Sequence, residues 1–242
     1  KQLFQYFFNS ESILQKLHLD MSLPFLHQIS SKWFDVRFKS SDKGYVKDLT
    51  GCSDEDNYLN SFSKNTRKQI MTTKKRLSEQ GTLNICEVKQ IDEADTLLEI
   101  AELHKAQWQN SEWGSGFNNL HFVEFHQKLL SKPEIMILKF KLDDKALAYG
   151  YYFCFNKRVN FYLSAIKKHP ENKIKIGLLF HTLAMNYFAK LGYKKYDFLA
   201  GEARYKKSLS DQEYTLFSYC LTKNNWLGKI EKLLRIIKNK IT

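Results

Sequence analysis

Three apolar, β-rich runs follow one another in the second half of the chain: Ile135 to Leu142, Lys145 to Asn156 and Arg158 to Ile166. Only Asp143-Asp144 and Asn156-Lys157 punctuate them. Connections that short leave no room for a crossover, so the three runs are expected to pair as antiparallel neighbours in a meander. The flanking segments narrow the choice of fold further. A strand is expected at Thr82 to Val88, and Asp92 is placed to cap a helix carrying Leu97, Leu98, Ile100, Leu103 and Trp108 at a rough helical period. A second helix covers Leu120 to Leu130. After the meander come a helix at Ile174 to Leu191 stopped by Gly192, a strand at Tyr193 to Leu199, a short helical turn at Glu202 to Leu209 and a strand at Tyr214 to Leu221.

Upstream, Asp54 to Gly81 has helical spacing, with Tyr58, Leu59, Phe62, Ile70 and Leu77 on one broad face and Gly81 at its end. The first fifty residues carry a helical pattern at Phe4 to Leu17, a segment at Leu19 to Pro24, an alternating stretch at Trp33 to Phe38, and turn and strand at Asp42 to Gly51. This piece is incomplete alone. Because the chain opens on Lys1 and enters at once into Leu3, Phe4, Tyr6, Phe7 and Phe8, it is expected to be cut from a longer protein. Residues 1–53 are then the end of a preceding unit of similar type, 54–221 a full domain, and 222–242 a basic amphipathic helix.

Composition closes off several classes. With 242 residues, 43% of them hydrophobic, the chain can build a core, and three prolines and ten glycines leave little material for a long linker. Cys52, Cys86, Cys154 and Cys220 are far apart, without a CxxC pair, and are expected to be reduced, mostly buried thiols of a cytoplasmic protein. No apolar run reaches the roughly 18 residues of a spanning helix. No HExxH, P-loop or GxGxxG occurs, so metal catalysis, nucleotide hydrolysis and Rossmann redox chemistry are not leading ideas, and no metal is expected. The net charge of +12, from 38 Lys and Arg against 26 Asp and Glu, favours anionic partners.

Three segments carry a family resemblance. Ser61 to Ile70, continuing through Lys74, Lys75 and Arg76 to Gly81, is similar to a basic entry helix with its serine, arginine and closing glycine. Leu103-His104-Lys105-Ala106-Gln107-Trp108 is similar to a leucine-through-tryptophan helix segment. Tyr196-Asp197-Phe198-Leu199, Gly201 and Tyr205-Lys206 are similar to a strand-to-helix signature. Together with the order of elements, over roughly residues 54 to 221, the chain resembles the GNAT-like acyltransferases of the cellulose-biosynthesis type, distant relatives of the Fem peptidoglycan peptidyltransferases. The resemblance implies an α+β fold with a mostly antiparallel central sheet flanked by helices. It also implies that the helix after the meander presents its N-terminus to the pyrophosphate of an acyl-CoA. Here the chain departs from the pattern: where the family commonly has Ser-Pro-Gly, it has Lys175-Ile176-Gly177. A helix start still binds anions through its free N–H groups, and Lys173 and Lys175 add charge.

The candidate site residues each admit two readings. Asp197 could orient an amine or accept its proton, or cap the turn that follows it. Tyr205 is a candidate general acid for the departing thiolate, or a buried packing residue. Glu202 could act as a base through water, and Lys206 could neutralise a phosphate or carboxylate. His104 and Trp108, four residues apart, share a helix side and could line an acceptor cleft or simply lie half-buried. Lys64, Arg67, Lys68, Lys74, Lys75 and Arg76 form either a contact for a phosphate-rich donor or a solvated face; Arg67 matches the family. From Asn225 the tail has Trp226, Ile230, Leu233, Leu234 and Ile237 on one side, with Lys229, Lys232, Arg235 and Lys238 around the rest. It suits an anionic membrane surface, or a terminal helix docked on the sheet or on a missing N-terminal half.

The expected function is therefore acyl transfer, with acetyl-CoA or another acyl-CoA as co-substrate, to an amine or hydroxyl of a small molecule, sugar or cell-envelope precursor. Two alternatives stand beside it. One keeps the fold and takes aminoacyl-tRNA as donor, as the Fem relatives do, with the basic helix meeting RNA. The other is a catalytically inactive binding module for nucleic acid or membrane.

Overall fold

The computed structural model describes residues 16–21, 34–89, 92–112, 114–223 and 225–241. In chain order it runs β1 (Lys16–Met21), β2 (Phe34–Asp48), α1 (Glu55–Asn60), α2 (Lys64–Ser78), β3 (Leu83–Glu87), α3 (Glu93–Trp108), a 3-10 turn (Gly116–Asn118), α4 (Leu120–Leu129), β4 (Ile135–Leu142), β5 (Lys145–Phe155), β6 (Arg158–Ile166), α5 (Ile176–Lys190), β7 (Lys195–Ala200), α6 (Arg204–Leu209), β8 (Gln212–Lys223) and α7 (Trp226–Ile241). The helix expected at Phe4 to Leu17 lies outside the described residues, save for Lys16 and Leu17, which open β1. The chain forms two units, one of residues 45–213 and one of residues 1–44 with 214–242.

The larger unit is built on the meander. β3, β4, β5 and β6 pair antiparallel in sequence order. The β5–β6 hairpin closes on Asn156 and Lys157, both at positive φ (48° and 59°), as a two-residue turn requires when its twist must match that of the strands. Alternation along the strands divides the core into two layers. Leu138 and Phe140 of β4 face α1, α2 and α5, whereas Ile135 and Ile137 face α3 and the Phe117 turn. The sheet is thus covered on both sides, and the expected α+β class, mostly antiparallel with flanking helices, is what the chain adopts.

Three local features differ from expectation. The single helix anticipated over Asp54 to Gly81 is broken at Ser61–Ser63: Ser63 caps α2 by accepting a hydrogen bond from the Thr66 N–H at 3.3 Å, which starts a new helix although the apolar period continues across the break. Asp92 precedes α3, but its side chain makes no capping bond. The described part of the stretch expected at Trp33 to Phe38 and the Asp42 to Asp48 part of the next one join into the one long strand β2.

Gly150 of β5 shows how tightly the α5 side is filled. A Cβ there would stand 2.4 Å from the Tyr152 hydroxyl and 2.7 Å from its ring. Tyr152 has no room to retreat, since it is fully buried against Phe188 and Tyr196, with ring centroids 4.9 and 5.9 Å away. Gly150→Ala is expected to destabilise the protein by about 1–3 kcal/mol through overpacking, read as a lower urea midpoint at unchanged slope. An unchanged midpoint would show that the Tyr152 ring can move.

In the smaller unit β1 pairs antiparallel with β8, Lys16 opposite Thr222 and Met21 opposite Phe217, and β8 lies beside β2. Phe38 of β2 packs against Phe217 and Tyr219 of β8. The four cysteines are free thiols, three of them buried.

Candidate active site

β6 and β7 are parallel neighbours for three residues only, Arg158 with Lys195, Val159 with Tyr196 and Asn160 with Asp197. Beyond that point β7 turns away, and the cause lies in its own side chain. The Asp197 carboxylate folds back to accept the Leu199 N–H at 2.8 Å, and Leu199 takes a left-handed φ of 57° before Gly201 at 107°. A non-glycine residue held there costs on the order of 1–3 kcal/mol and persists because the surroundings impose it. The result is a wedge between the C-terminal part of β6 and the chain after β7.

A cavity of about 1210 Å³ occupies this wedge. It is lined by the start of α2 (Ser63, Asn65, Thr66, Gln69), the last turns of α3 (His104, Gln107, Trp108), β6 from Phe161 to Ile166 except Ala165, the start of α5 (Lys175, Gly177, Leu178, His181) and, after β7, Gly201, Ala203 to Lys206 and Ser208. Its volume exceeds the roughly 300–1,000 Å³ usual for one small ligand, so two reactants fit side by side. Among the described residues no carboxylate lines it; Lys175, Arg204 and Lys206 do.

Each wall has an identifiable origin. Between Tyr151 and Tyr152 the β5–β6 register shifts from Leu163 to Phe161, so Tyr162 is bulged out of the ladder on a strand that lines the cavity. At the far end, the Lys175 N–H donates to Thr73 Oγ1 at 3.0 Å, tying the start of α5 to α2. No side chain caps α5, and its first intrahelical bond is Leu179 N to Lys175 O. The N–H groups of Ile176, Gly177 and Leu178 therefore precede the ladder, at the positive end of a four-turn helix. A Cβ on Gly177 would stand 3.0 Å from the Cδ1 methyl of Ile166 at the end of β6, so a larger residue fits only if that methyl gives way.

On the α3 wall, His104 Nδ1 and Ser115 Oγ are 2.8 Å apart, and Ser115 Oγ also accepts the Phe117 N–H. Burial holds the His104 imidazole below its ordinary 6.5, hence neutral at physiological pH. Trp108 lies beside it, ring centroids 5.9 Å apart. On the α5 wall, His181 is 1% exposed and its ring stacks on Tyr205, 5.1 Å away and 11° from parallel. Its Nδ1 lies 2.9 Å from the Tyr196 hydroxyl, which donates to Tyr152 at 3.4 Å. Burial, with Lys206 nearby, drives His181 down to about 3. Burial also pushes the Tyr205 hydroxyl up to about 12, so it keeps its proton. Lys206 donates to the Ala200 carbonyl at 2.6 Å, and burial lowers its affinity for the proton against the opposing pull of Asp197.

Of the residues singled out from the sequence, the cavity gathers His104, Trp108, Lys175, Gly177, Tyr205 and Lys206. Asp197, 1% exposed, sits behind the wall and faces Arg158 at 3.7 Å. Glu202 is exposed outside the lining, Lys173 is exposed before α5, and Ile176 is buried in the core. Arg67 donates to Asn60 at 2.5 Å and does not line the cavity. In the basic run of α2, Lys74 pairs with Glu55 and Arg76 with Glu171. Sequence reasoning missed His181, Tyr162, Gln107 and the polar start of α2. His181 follows Gly177 by one helical turn, which was the only available signal.

Solved structures of other proteins share the fold, three of them at TM-scores of 0.50 to 0.52. One is the C-terminal domain of a putative lysylphosphatidylglycerol synthetase from Agrobacterium fabrum, with TM-score 0.52 and 12% identity over 83% of this chain and 65% of that one. Another is a conserved protein of unknown function from Bacteroides thetaiotaomicron VPI-5482, with TM-score 0.52 and 13% identity over 81% and 65%. The third is FemX, with TM-score 0.50 and 10% identity over 73% and 61%. The chain thus spans less than two thirds of the length of each. No curated protein matches the sequence. The acetyltransferase (GNAT) domain family matches residues 64–207, more than half of the chain and the stretch that contributes almost the whole lining of the wedge. The meander, the parallel pair that parts after three residues and the uncapped start of α5 all fall within the matched residues, and the chain belongs to the GNAT acetyltransferase-domain family.

Proposed function

We propose that the chain transfers an acyl group from acyl-CoA, in the first instance acetyl-CoA, to a hydroxyl or amine of a small-molecule, sugar or cell-envelope acceptor. The observation that carries this reading is the continuity of one cavity from the β6–β7 wedge to the uncapped start of α5. The donor's pantetheine lies along β6, its pyrophosphate meets the N–H groups of Ile176, Gly177 and Leu178 with Lys175 beside them, and the thioester carbonyl accepts the N–H of the bulged Tyr162. The acceptor enters between His104, Trp108 and the start of α2.

Both protons have a carrier. With Nδ1–H donating to Ser115 Oγ, the lone pair on His104 Nε2 takes the proton from the acceptor's O–H or N–H as the new bond to the acyl carbon forms. The C–S bond breaks, and the departing thiolate takes the Tyr205 proton, which solvent restores. Asp197 shapes the wedge through Leu199.

Calorimetric titration with acetyl-CoA is the direct test. Saturable binding is expected, and Lys175→Glu is expected to weaken it by roughly tenfold or more, by placing an anion where the pyrophosphate sits. No binding at millimolar acetyl-CoA would remove CoA as the donor's carrier. Steeply salt-dependent tRNA binding alongside that result would move the donor to aminoacyl-tRNA.

A further inference from the structure

We propose that α7 is a membrane-surface helix, whose apolar face enters the headgroup boundary of an anionic lipid bilayer. Trp226, Ile230, Leu233, Leu234 and Ile237 recur at helical spacing on one face, and Leu227 flanks them. All are exposed, Trp226 at 68%, Leu233 at 59% and Leu234 at 60%. Such a face ordinarily packs inward. Here the helix is turned the other way: Lys232, two residues from both Ile230 and Leu234 and so on the opposite side, reaches Asp35 of β2 with Nζ 3.6 Å from Oδ1. The polar side is thus held to its own unit, and no described residue covers the apolar side.

The charge pattern selects the occupant. The helix carries Lys229, Lys232, Arg235, Lys238 and Lys240 against the single acid Glu231. A copy of the same helix would bring two such cationic sets together, whereas an anionic bilayer neutralises them while the apolar face sinks in. The five cations are spread along the whole length of the helix and would have to enter the hydrocarbon core if it crossed the bilayer, so it lies on the surface. Consistent with this, no helix among the described residues is long and apolar enough to cross a membrane. The inference stands whether or not the chain is an acyltransferase.

Flotation of the whole chain with phosphatidylglycerol–phosphatidylcholine vesicles, against phosphatidylcholine alone, tests it. Binding to the anionic vesicles only is expected. It should be lost in Leu233→Glu/Leu234→Glu and weakened roughly tenfold or more in Lys229→Glu, which leaves the apolar face whole. Since these side chains are exposed, circular dichroism of each variant should match the parent. Equal binding to neutral vesicles would overturn the anionic assignment. Absence of vesicle binding, with a lipid-free dimer that Leu233→Glu/Leu234→Glu dissolves, would show a second copy on this face and overturn the proposal.

Discussion

Replacing His104 with alanine is expected to lower the turnover of acyl transfer by about 10²- to 10⁴-fold, with acyl-CoA affinity nearly unchanged. The size follows from the composition of the cavity. Among the described residues no carboxylate lines it, the two cations nearest Tyr205 in sequence, Arg204 and Lys206, are proton donors by nature, and His181, held down to about 3 by burial, is too weak a base to take over. His104 suits the role because burial keeps it neutral and Ser115 fixes its ring, the hydroxyl being held in turn by the Phe117 N–H. The pH profile separates this role from simple packing. In the parent protein the rate should fall on the acid side as His104 takes up a proton, with an apparent pKa below 6.5. It should stay level through mildly alkaline pH because Tyr205 holds its proton to about 12. In His104→Ala the acid limb should vanish along with most of the rate. His104→Asn, which preserves a polar contact to Ser115 without a titratable nitrogen, should behave like the alanine variant. Turnover within a few-fold of the parent in either variant would leave the proton to another carrier.

How much of this was legible in the sequence depended on whether the signal was local. Asn156-Lys157 is a turn because of the residues it contains, and it announced a hairpin without reference to anything else in the chain. The α5 helix was legible from its apolar period, which ran from Ile174, two residues ahead of its actual start at Ile176, while the absence of a side-chain cap shows only in the structure. Asp197 was legible only as a choice between a base at a strand end and a cap of the turn that follows, and it takes the Leu199 N–H to show the carboxylate folded into that turn, shaping the wedge from behind. His181 is the opposite case. It sits between Phe180 and Thr182 on a helix apolar nearly all round, so its pattern is that of a core position, and its place in the cavity arises from the parting of β6 and β7 far away in sequence. The α7 face shows the same limit from another side. Its periodicity is in the sequence, but its outward direction depends on the Lys232–Asp35 pair.

That buried histidine should also make the fold acid-sensitive. His181 titrates near 6.5 when unfolded and at about 3 in the folded chain. Above 6.5 neither state carries its proton and stability is level. Between 6.5 and 3 the unfolded state binds a proton that the folded state refuses, so stability falls steadily as pH falls, and below 3 both states are protonated and the loss stops. The full excursion is worth about 3–5 kcal/mol. His104 and His126, also lowered by burial, add slope of the same sign and keep some acid sensitivity in any single variant. His181→Phe isolates the larger part. A phenyl ring can occupy the slot between Phe161 and Tyr205, and the Tyr196 hydroxyl retains Tyr152 as a partner. The variant should lose about 1 kcal/mol at neutral pH for the missing hydrogen bond, yet lose less on acidification. Its urea midpoint should therefore start below the parent's and overtake it as pH drops toward 4. Parallel midpoint-against-pH curves for the two proteins would mean that His181 takes up its proton as readily folded as unfolded, and that the cavity admits enough water to solvate it.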